Sequence, residues 1–174
     1  PPEGQASRWV LSLDYGTQNA FAAILWGKYG DVWYGLREYY YSGRDTGTQK
    51  TDEEYCEEIV RLAEGKRIQQ VIVDPSAASF IAALRKRGFT VRKANNDVID
   101  GIRRTAVMLK NGNVKIHRSC VDSIAEFGLY RWDDKATADT VIKENDHAMD
   151  DVRYFVNTVL RYKIGKTAYT PIFM

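Results

Sequence analysis

The stretch that decides the fold is Trp9-Val10-Leu11-Ser12-Leu13-Asp14-Tyr15-Gly16-Thr17-Gln18-Asn19-Ala20-Phe21-Ala22-Ala23-Ile24-Leu25-Trp26. An apolar run ends in a carboxylate, a polar turn follows, and residues 20–26 are apolar again. A second turn, Gly27-Lys28-Tyr29-Gly30-Asp31, leads into a Tyr- and Trp-rich strand from Val32 to Tyr41. Short turns between β-type runs describe an antiparallel meander.

Beyond residue 50 the period changes. Thr51-Asp52-Glu53-Glu54 is a capping box, with Tyr55, Ile59 and Leu62 at helical spacing behind it and Gly65 as the stop. Gln70-Val71-Ile72-Val73-Asp74 is another short strand ending in Asp, and Pro75-Ser76 opens a helix that runs to Gly88. Phe89-Thr90-Val91 reads as a strand, 97–110 as a helix, Val114-Lys115-Ile116 as a strand and 119–130 as a helix. Residues 131–145 look like a polar hairpin insertion. The last helix spans 146–162, with Met149, Val152, Val156 and Val159 on one face. Three antiparallel strands followed by alternating helices and strands predict an α/β protein, a mixed sheet flanked by helices. That is the element order of the ribonuclease H-like fold. The expected domain covers 8–165, with 1–7 as a linker remnant and 166–174 as a tail.

Composition narrows the function classes. The 174 residues, 44% hydrophobic and 12% aromatic, suit one packed domain rather than a disordered chain. No apolar run reaches the roughly 18–20 residues of a membrane span, and no signal peptide is recognisable at the start. Cys56 and Cys120 form no CxxC pair, so neither a disulfide framework nor a zinc knuckle is expected. With 25 Lys+Arg against 23 Asp+Glu, the net charge of +2 excludes a simple polycation. Any nucleic-acid binding must use a local basic patch or a bound metal.

Asp14 and Asp74 each close a strand. If those strands are parallel neighbours, the two carboxylates lie side by side at one sheet edge, where ligands gather in α/β sheets. Such carboxylates repel each other unless a cation sits between them, and a hard divalent metal meets that need. The alternative is that each Asp caps the turn or helix that follows it. A third acidic cluster, Asp146-His147-Ala148-Met149-Asp150-Asp151, opens the last helix. Asp146 suits an N-cap, and His147 and Asp150, three apart, share the face opposite the apolar stripe. Three carboxylates around two Mg²⁺ or Mn²⁺ ions roughly 3.5–4 Å apart form a two-metal phosphodiesterase site. The chain carries no GxSxG, HExxH or GxxxxGK[ST] motif that would signal a competing chemistry.

Leu11-Ser12-Leu13-Asp14-Tyr15-Gly16-Thr17, Val71-Ile72-Val73-Asp74-Pro75-Ser76-Ala77, the 93–102 segment beginning Lys93-Ala94-Asn95-Asn96-Asp97, and His147-Ala148-Met149-Asp150 occur in this order. As a set they resemble the nuclease domain of the large terminase subunit of tailed double-stranded DNA bacteriophages. The resemblance covers about residues 9–162. It implies a ribonuclease H-like endonuclease that cuts concatemeric double-stranded viral DNA during packaging, in the cytoplasm of the infected bacterium. It implies that Asp14, Asp74 and Asp150 bind two Mg²⁺ or Mn²⁺ ions, with His147 beside them. Asp151 stands where the family pattern leads us to expect a small residue. The spacing from His147 favours Asp150 as the inward ligand, with Asp151 behind it or facing solvent. The family also implies an ATPase motor domain, a portal protein and a small terminase subunit as partners.

Arg85, Lys86, Arg87, Arg92, Lys93, Arg103, Arg104, Lys110 and Lys115 are the candidate phosphate contacts, with Arg131, Lys135 and Lys143 on the expected hairpin. Any single one of them reads first as part of a solvated helix face; as a group they could track a phosphate backbone. Tyr34, Tyr39, Tyr40 and Tyr41 are expected to pack on the sheet. Three other readings stay open: a Holliday-junction resolvase or ribonuclease H, an actin-like nucleotide-binding module through Asp14-Tyr15-Gly16-Thr17, and a docking module whose acids merely cap.

Overall fold

A computed structural model of the chain describes residues 3–16, 20–129 and 146–160. The meander is β1 (Arg8–Asp14), β2 (Ala20–Tyr29) and β3 (Val32–Ser42). After the one-turn α1 (Gly43–Thr46) come α2 (Asp52–Leu62), β4 (Gln70–Val73), α3 (Ala78–Lys86), β5 (Val91–Lys93), α4 (Ile99–Lys110), β6 (Val114–Ile116), α5 (Val121–Leu129) and α6 (His147–Val159). The six strands form one mixed sheet in the order β5-β4-β1-β2-β3-β6. β1 pairs antiparallel with β2 and parallel with β4, so β2 runs against its neighbours.

The two-residue period of the strands sorts the core into two layers. Leu11, Leu13, Val71 and Val73 point to one face, where Tyr55, Ile59, Phe80 and Leu84 of α2 and α3 cover them. Val10 and Ile72 point to the other, against Met149, Val152, Phe155 and Val156 of α6. Trp26 stacks on Phe155 with ring centroids 4.1 Å apart, and its Nε1 donates to Ser12 Oγ at 2.7 Å. Among the described residues no helix is long and apolar enough to cross a membrane.

Several boundaries differ from the sequence reading. α3 starts at Ala78 rather than Pro75, because the Ser76 amide donates to Asp74 Oδ1 at 2.7 Å and holds Pro75-Ser76 in a turn. β5 begins at Val91. The second turn shrinks to Gly30-Asp31: β2 continues through Tyr29, and Gly30 takes the turn at φ +57°. The Thr51/Glu54 capping box is present as expected. α6 is buried on more than one face: Asp151, Arg153, Tyr154, Asn157 and Thr158 are enclosed as well as the stripe. The helix lies between the sheet and α4, with α5 at its side, so few positions can reach solvent. The expected 131–145 hairpin, with Arg131, Lys135 and Lys143, and the end of the last helix lie outside the described residues.

Candidate active site

The β1–β4 register pairs Leu13 with Val73, so Asp14 and Asp74 follow as the next neighbours at the same end of two parallel strands. By alternation both side chains share the face of Val10, Ser12 and Ile72, the face that α6 covers. α6 starts at this edge and brings His147 and Asp150 to it. The structure therefore brings Asp14, Asp74 and Asp150 to one edge of the sheet. Asp14 interacts electrostatically with both Asp150 and Asp74.

Each carboxylate already has a donor. His147 Nδ1 lies 3.0 Å from Asp14 Oδ2. Tyr154 OH donates to Asp74 Oδ2 at 2.7 Å, while Asp74 Oδ1 takes the Ser76 amide. Arg153 donates to Asp150 Oδ1 through Nε at 3.1 Å and Nη2 at 2.8 Å. Asp74 closes the turn before α3 through one oxygen and turns the other toward Tyr154 of α6.

The electrostatics separate the acids. Burial pushes the Asp14 carboxyl above its ordinary value; the hydrogen bond to His147 opposes this, and the charges of Asp150 and Asp74 add to the rise. Burial also pushes Asp74 up, but its bonds from Ser76 and Tyr154 and the Arg153 charge prevail, and its carboxyl lies below the ordinary value. His147 is raised, first by its bond to Asp14, against the effect of burial. Tyr154 is raised by burial and by the surrounding carboxylates.

Asp150 and Asp151 take different places. The Asp150 side chain is 19% exposed and pairs with Arg153. Asp151 is not solvent-facing, as one branch of the sequence reading had it. It is fully buried, and neither of its oxygens has a well-formed hydrogen bond. Ser12, Asp14, Glu126 and Glu38 are the groups that act on it. Asp146 occupies the N-cap position of α6, as expected, but its side chain makes no capping hydrogen bond to that helix.

Three residues around the acids were not singled out from sequence. Arg153 and Tyr154 stand three and four positions after Asp150, the spacing that places side chains on one helix face, so their signal was present. Arg153, 3% exposed, also donates Nη1 to the carbonyls of Asn96 and Asp97 at 3.0 Å each, which ties the β5–α4 loop to Asp150. Glu126 gave no local signal, because its partners lie across the fold.

That loop explains why the 93–102 segment matters. Asn157 Nδ2 donates to the Asp97 carbonyl at 3.0 Å, Thr158 Oγ1 accepts the Asn95 amide at 2.9 Å, and α4 meets α6 at Gly101. A Cβ there would stand 2.2 Å from Asn157 Nδ2 and 2.9 Å from Arg153 Cγ. Overpacking of this kind costs about 1–3 kcal/mol, and a displaced hydrogen bond about 1 kcal/mol more. The better helix propensity of Ala returns about 1 kcal/mol. Gly101→Ala is therefore expected to lose about 2 kcal/mol net and to melt about 4–8 °C lower. An unchanged melting temperature in a thermal scan would show that α4 and α6 separate freely.

The basic residues are not all brought to this edge. Lys93 pairs with Val73 and ends β5 beside Asp74, and Arg92 precedes it; both are exposed. Arg103, in α4, lies 3.9 Å from Asp100. Arg104 hydrogen-bonds Asn157 and is turned toward α6. Arg85 and Lys86 are exposed in the last turn of α3, which runs away from the Asp74 edge. Arg87 pairs with Glu53 at 2.7 Å. Tyr39 and Tyr41 pack against the core as expected, whereas Tyr40 hydrogen-bonds Glu126.

Three carboxylates share this edge, and the Asp14 carboxyl is raised by burial and by repulsion from the other two, a charge that a hard divalent cation would balance. As the side chains stand, no three His, Cys, Asp or Glu groups among the described residues form a ready ligand set. His147, Tyr154 and Arg153 hold oxygens that a metal would claim.

Comparisons with known proteins bear on this arrangement. The family model for the terminase RNaseH-like domain matches residues 11–158. The large terminase of a thermophilic bacteriophage, solved with ADP, is similar at 45% identity and a TM-score of 0.88, over 91% of this chain and 41% of that one. The large terminase subunit of Escherichia phage T5 is 24% identical over 171 residues, 92% of this chain and 37% of its own length. The nuclease domain of the g2p large terminase from bacteriophage SPP1, solved with bound Mn, aligns at a TM-score of 0.60 and 19% identity, over 87% and 86% of the two chains; at that identity the likeness concerns the fold. This chain spans about two fifths of the thermophilic-phage and T5 proteins.

Proposed function

The chain belongs to the terminase RNaseH-like domain family, and from that premise we propose that it is a metal-dependent endonuclease acting on double-stranded DNA. The observation that carries the reading is the meeting of Asp14, Asp74 and Asp150 on one face of one sheet edge, with Asp14 raised first by burial and further by its acidic neighbours. In this reading those three acids hold the divalent metal, two Mg²⁺ or Mn²⁺ ions, and His147 stands against Asp14. The manganese in the SPP1 nuclease domain supports a divalent metal. Bound there, the metal would supply Lewis-acid stabilisation of charge on the phosphodiester.

The protein's own part is placement. Tyr154 and the Ser76 amide fix the Asp74 carboxylate and keep it ionised. Arg153 holds Asp150 and neutralises it while no cation is present. His147 Nδ1 orients Asp14 and, when protonated, keeps that buried carboxylate charged. Lys93 and Arg92 border this edge and, with Arg103 of α4, are the phosphate contacts we favour; Arg85 and Lys86 would engage only a longer stretch of duplex. In the infected bacterial cytoplasm the substrate would be concatemeric viral DNA, with an ATPase motor domain, a portal protein and a small terminase subunit as partners.

Plasmid cleavage tests the reading. Relaxed and linear products are expected with Mn²⁺ or Mg²⁺ and none with EDTA. Parallel assays on a four-way junction and an RNA–DNA hybrid separate the duplex substrate from those of related nucleases. Cutting that persists in EDTA would sink the proposal.

A further inference from the structure

Because α6 lacks a side-chain cap of its own, something else must satisfy its first amides. Glu126 of α5 does so from across the fold. Its Oε2 accepts the Ala148 amide at 2.7 Å and the Met149 amide at 3.2 Å, and its Oε1 accepts Tyr40 OH at 2.7 Å. The residue is 4% exposed, and all three donors are directed at one carboxylate. Burial pushes this carboxyl up while Tyr40 and the two amides oppose the rise. α5 is itself held by the sheet: Glu38 of β3 accepts the Asp122 amide at 2.8 Å, the Ser123 amide at 3.0 Å and Ser123 Oγ at 2.7 Å. A continuous set of hydrogen bonds thus runs from β3 through α5 to the first turn of α6.

We propose that Glu126 is a positioning residue for the cleavage reaction: its carboxylate fixes the first turn of α6 and thereby sets His147 and Asp150 against Asp14. This rests on the metal-site reading above. The body of α6 does not need Glu126 to stay helical, because Val152, Phe155 and Val156 bury it against the sheet. What the carboxylate decides is where the turn carrying His147 and Asp150 sits. Groups that orient metal ligands in this way change activity by about 10–100-fold when removed.

The test compares Glu126→Gln, Glu126→Asp, Glu126→Ala and Asp74→Ala. Glu126→Gln keeps the reach and an acceptor for the two amides, and its NH₂ can face Tyr40; it is expected to keep most of the activity. Glu126→Asp keeps the charge but is one methylene too short to hold both amides and Tyr40. Glu126→Asp and Glu126→Ala are expected to lower kcat for plasmid cleavage about 10–100-fold with the KM for DNA unchanged. In amide NMR spectra the Ala148 and Met149 protons should lose their downfield shift and exchange faster in these two variants but not in Glu126→Gln. If Glu126→Ala does not fold, the Asp and Gln variants still decide. Wild-type kcat in Glu126→Asp, or a Glu126→Gln as slow as Glu126→Ala, would overturn the proposal. Full-rate cleavage by Asp74→Ala overturns the metal-site reading instead, and the amide shifts then report alone whether Glu126 holds α6.

Discussion

Asp14→Asn is expected to slow Mn²⁺-dependent plasmid cleavage at least about a hundredfold while raising the melting temperature of the protein in EDTA. The loss of activity follows from the ligand role: charge stabilisation by a metal is worth several kcal/mol, and each 1.4 kcal/mol is tenfold in rate. The gain in stability follows from the structure. The Asp14 carboxyl is buried beside Asp150 and Asp74, both of which disfavour its charge, with His147 opposing them. Asn has nearly the same shape, can still accept a hydrogen bond from His147 Nδ1–H, and brings no charge into the cluster. Each kcal/mol so recovered raises the melting temperature by about 2–4 °C in a domain of this size. Saturating Mn²⁺ should reverse the order. Metal at 100 times its Kd adds about 2.7 kcal/mol to a protein that binds it and less to one that has lost a ligand. A variant that melts lower in EDTA would show that Asp14 is not under repulsion. Retained cleavage would show that it is not a ligand.

This opposition of stability and function explains which parts of the molecule were legible in the sequence. The meander, the parallel pairing of β1 with β4 and the shared edge of Asp14 and Asp74 follow from apolar runs that end in Asp, a signal set by period and turn chemistry alone. The capping box at Thr51 is likewise local. The start of α6 is not. Asp146 has the right residue type for an N-cap, yet the amides of Ala148 and Met149 are taken by Glu126, more than twenty residues earlier in the chain. Only the tertiary fold brings those groups together. The same holds for Arg104, which looks like a phosphate contact but meets Asn157, and for Arg153, whose partners on the 96–97 backbone no spacing could indicate. That Asp151 lies behind Asp150 rather than facing solvent has a related cause. An acid near the start of a helix ordinarily faces water, but α6 is enclosed on most sides, so this one faces the core.

Asp151 therefore supplies the second large effect. Its carboxyl is raised well above the ordinary value of 3.8, first by burial and then by the charges of Asp14, Glu126 and Glu38, with Ser12 opposing. In the unfolded chain the group titrates near that ordinary value. Between the unfolded and folded pKa the folded state keeps a proton that the unfolded state has released. Stability consequently falls as pH rises through this window, by up to about 1.4 kcal/mol per pH unit for one proton. Below the unfolded pKa both states are protonated and the penalty vanishes. Asp151→Asn never ionises and keeps the volume, so it escapes the penalty without opening a cavity. Since Asp14 and Glu126 titrate in both proteins, the informative quantity is the difference between variant and wild type at each pH in EDTA. That difference is expected to be small at pH 4 and to grow toward pH 7, by about 3–6 °C per unit inside the window. A gap that stays constant across this range would mean that Asp151 does not change its ionisation on folding. A variant that melts lower throughout would mean that the carboxylate is held by a donor that outweighs its burial.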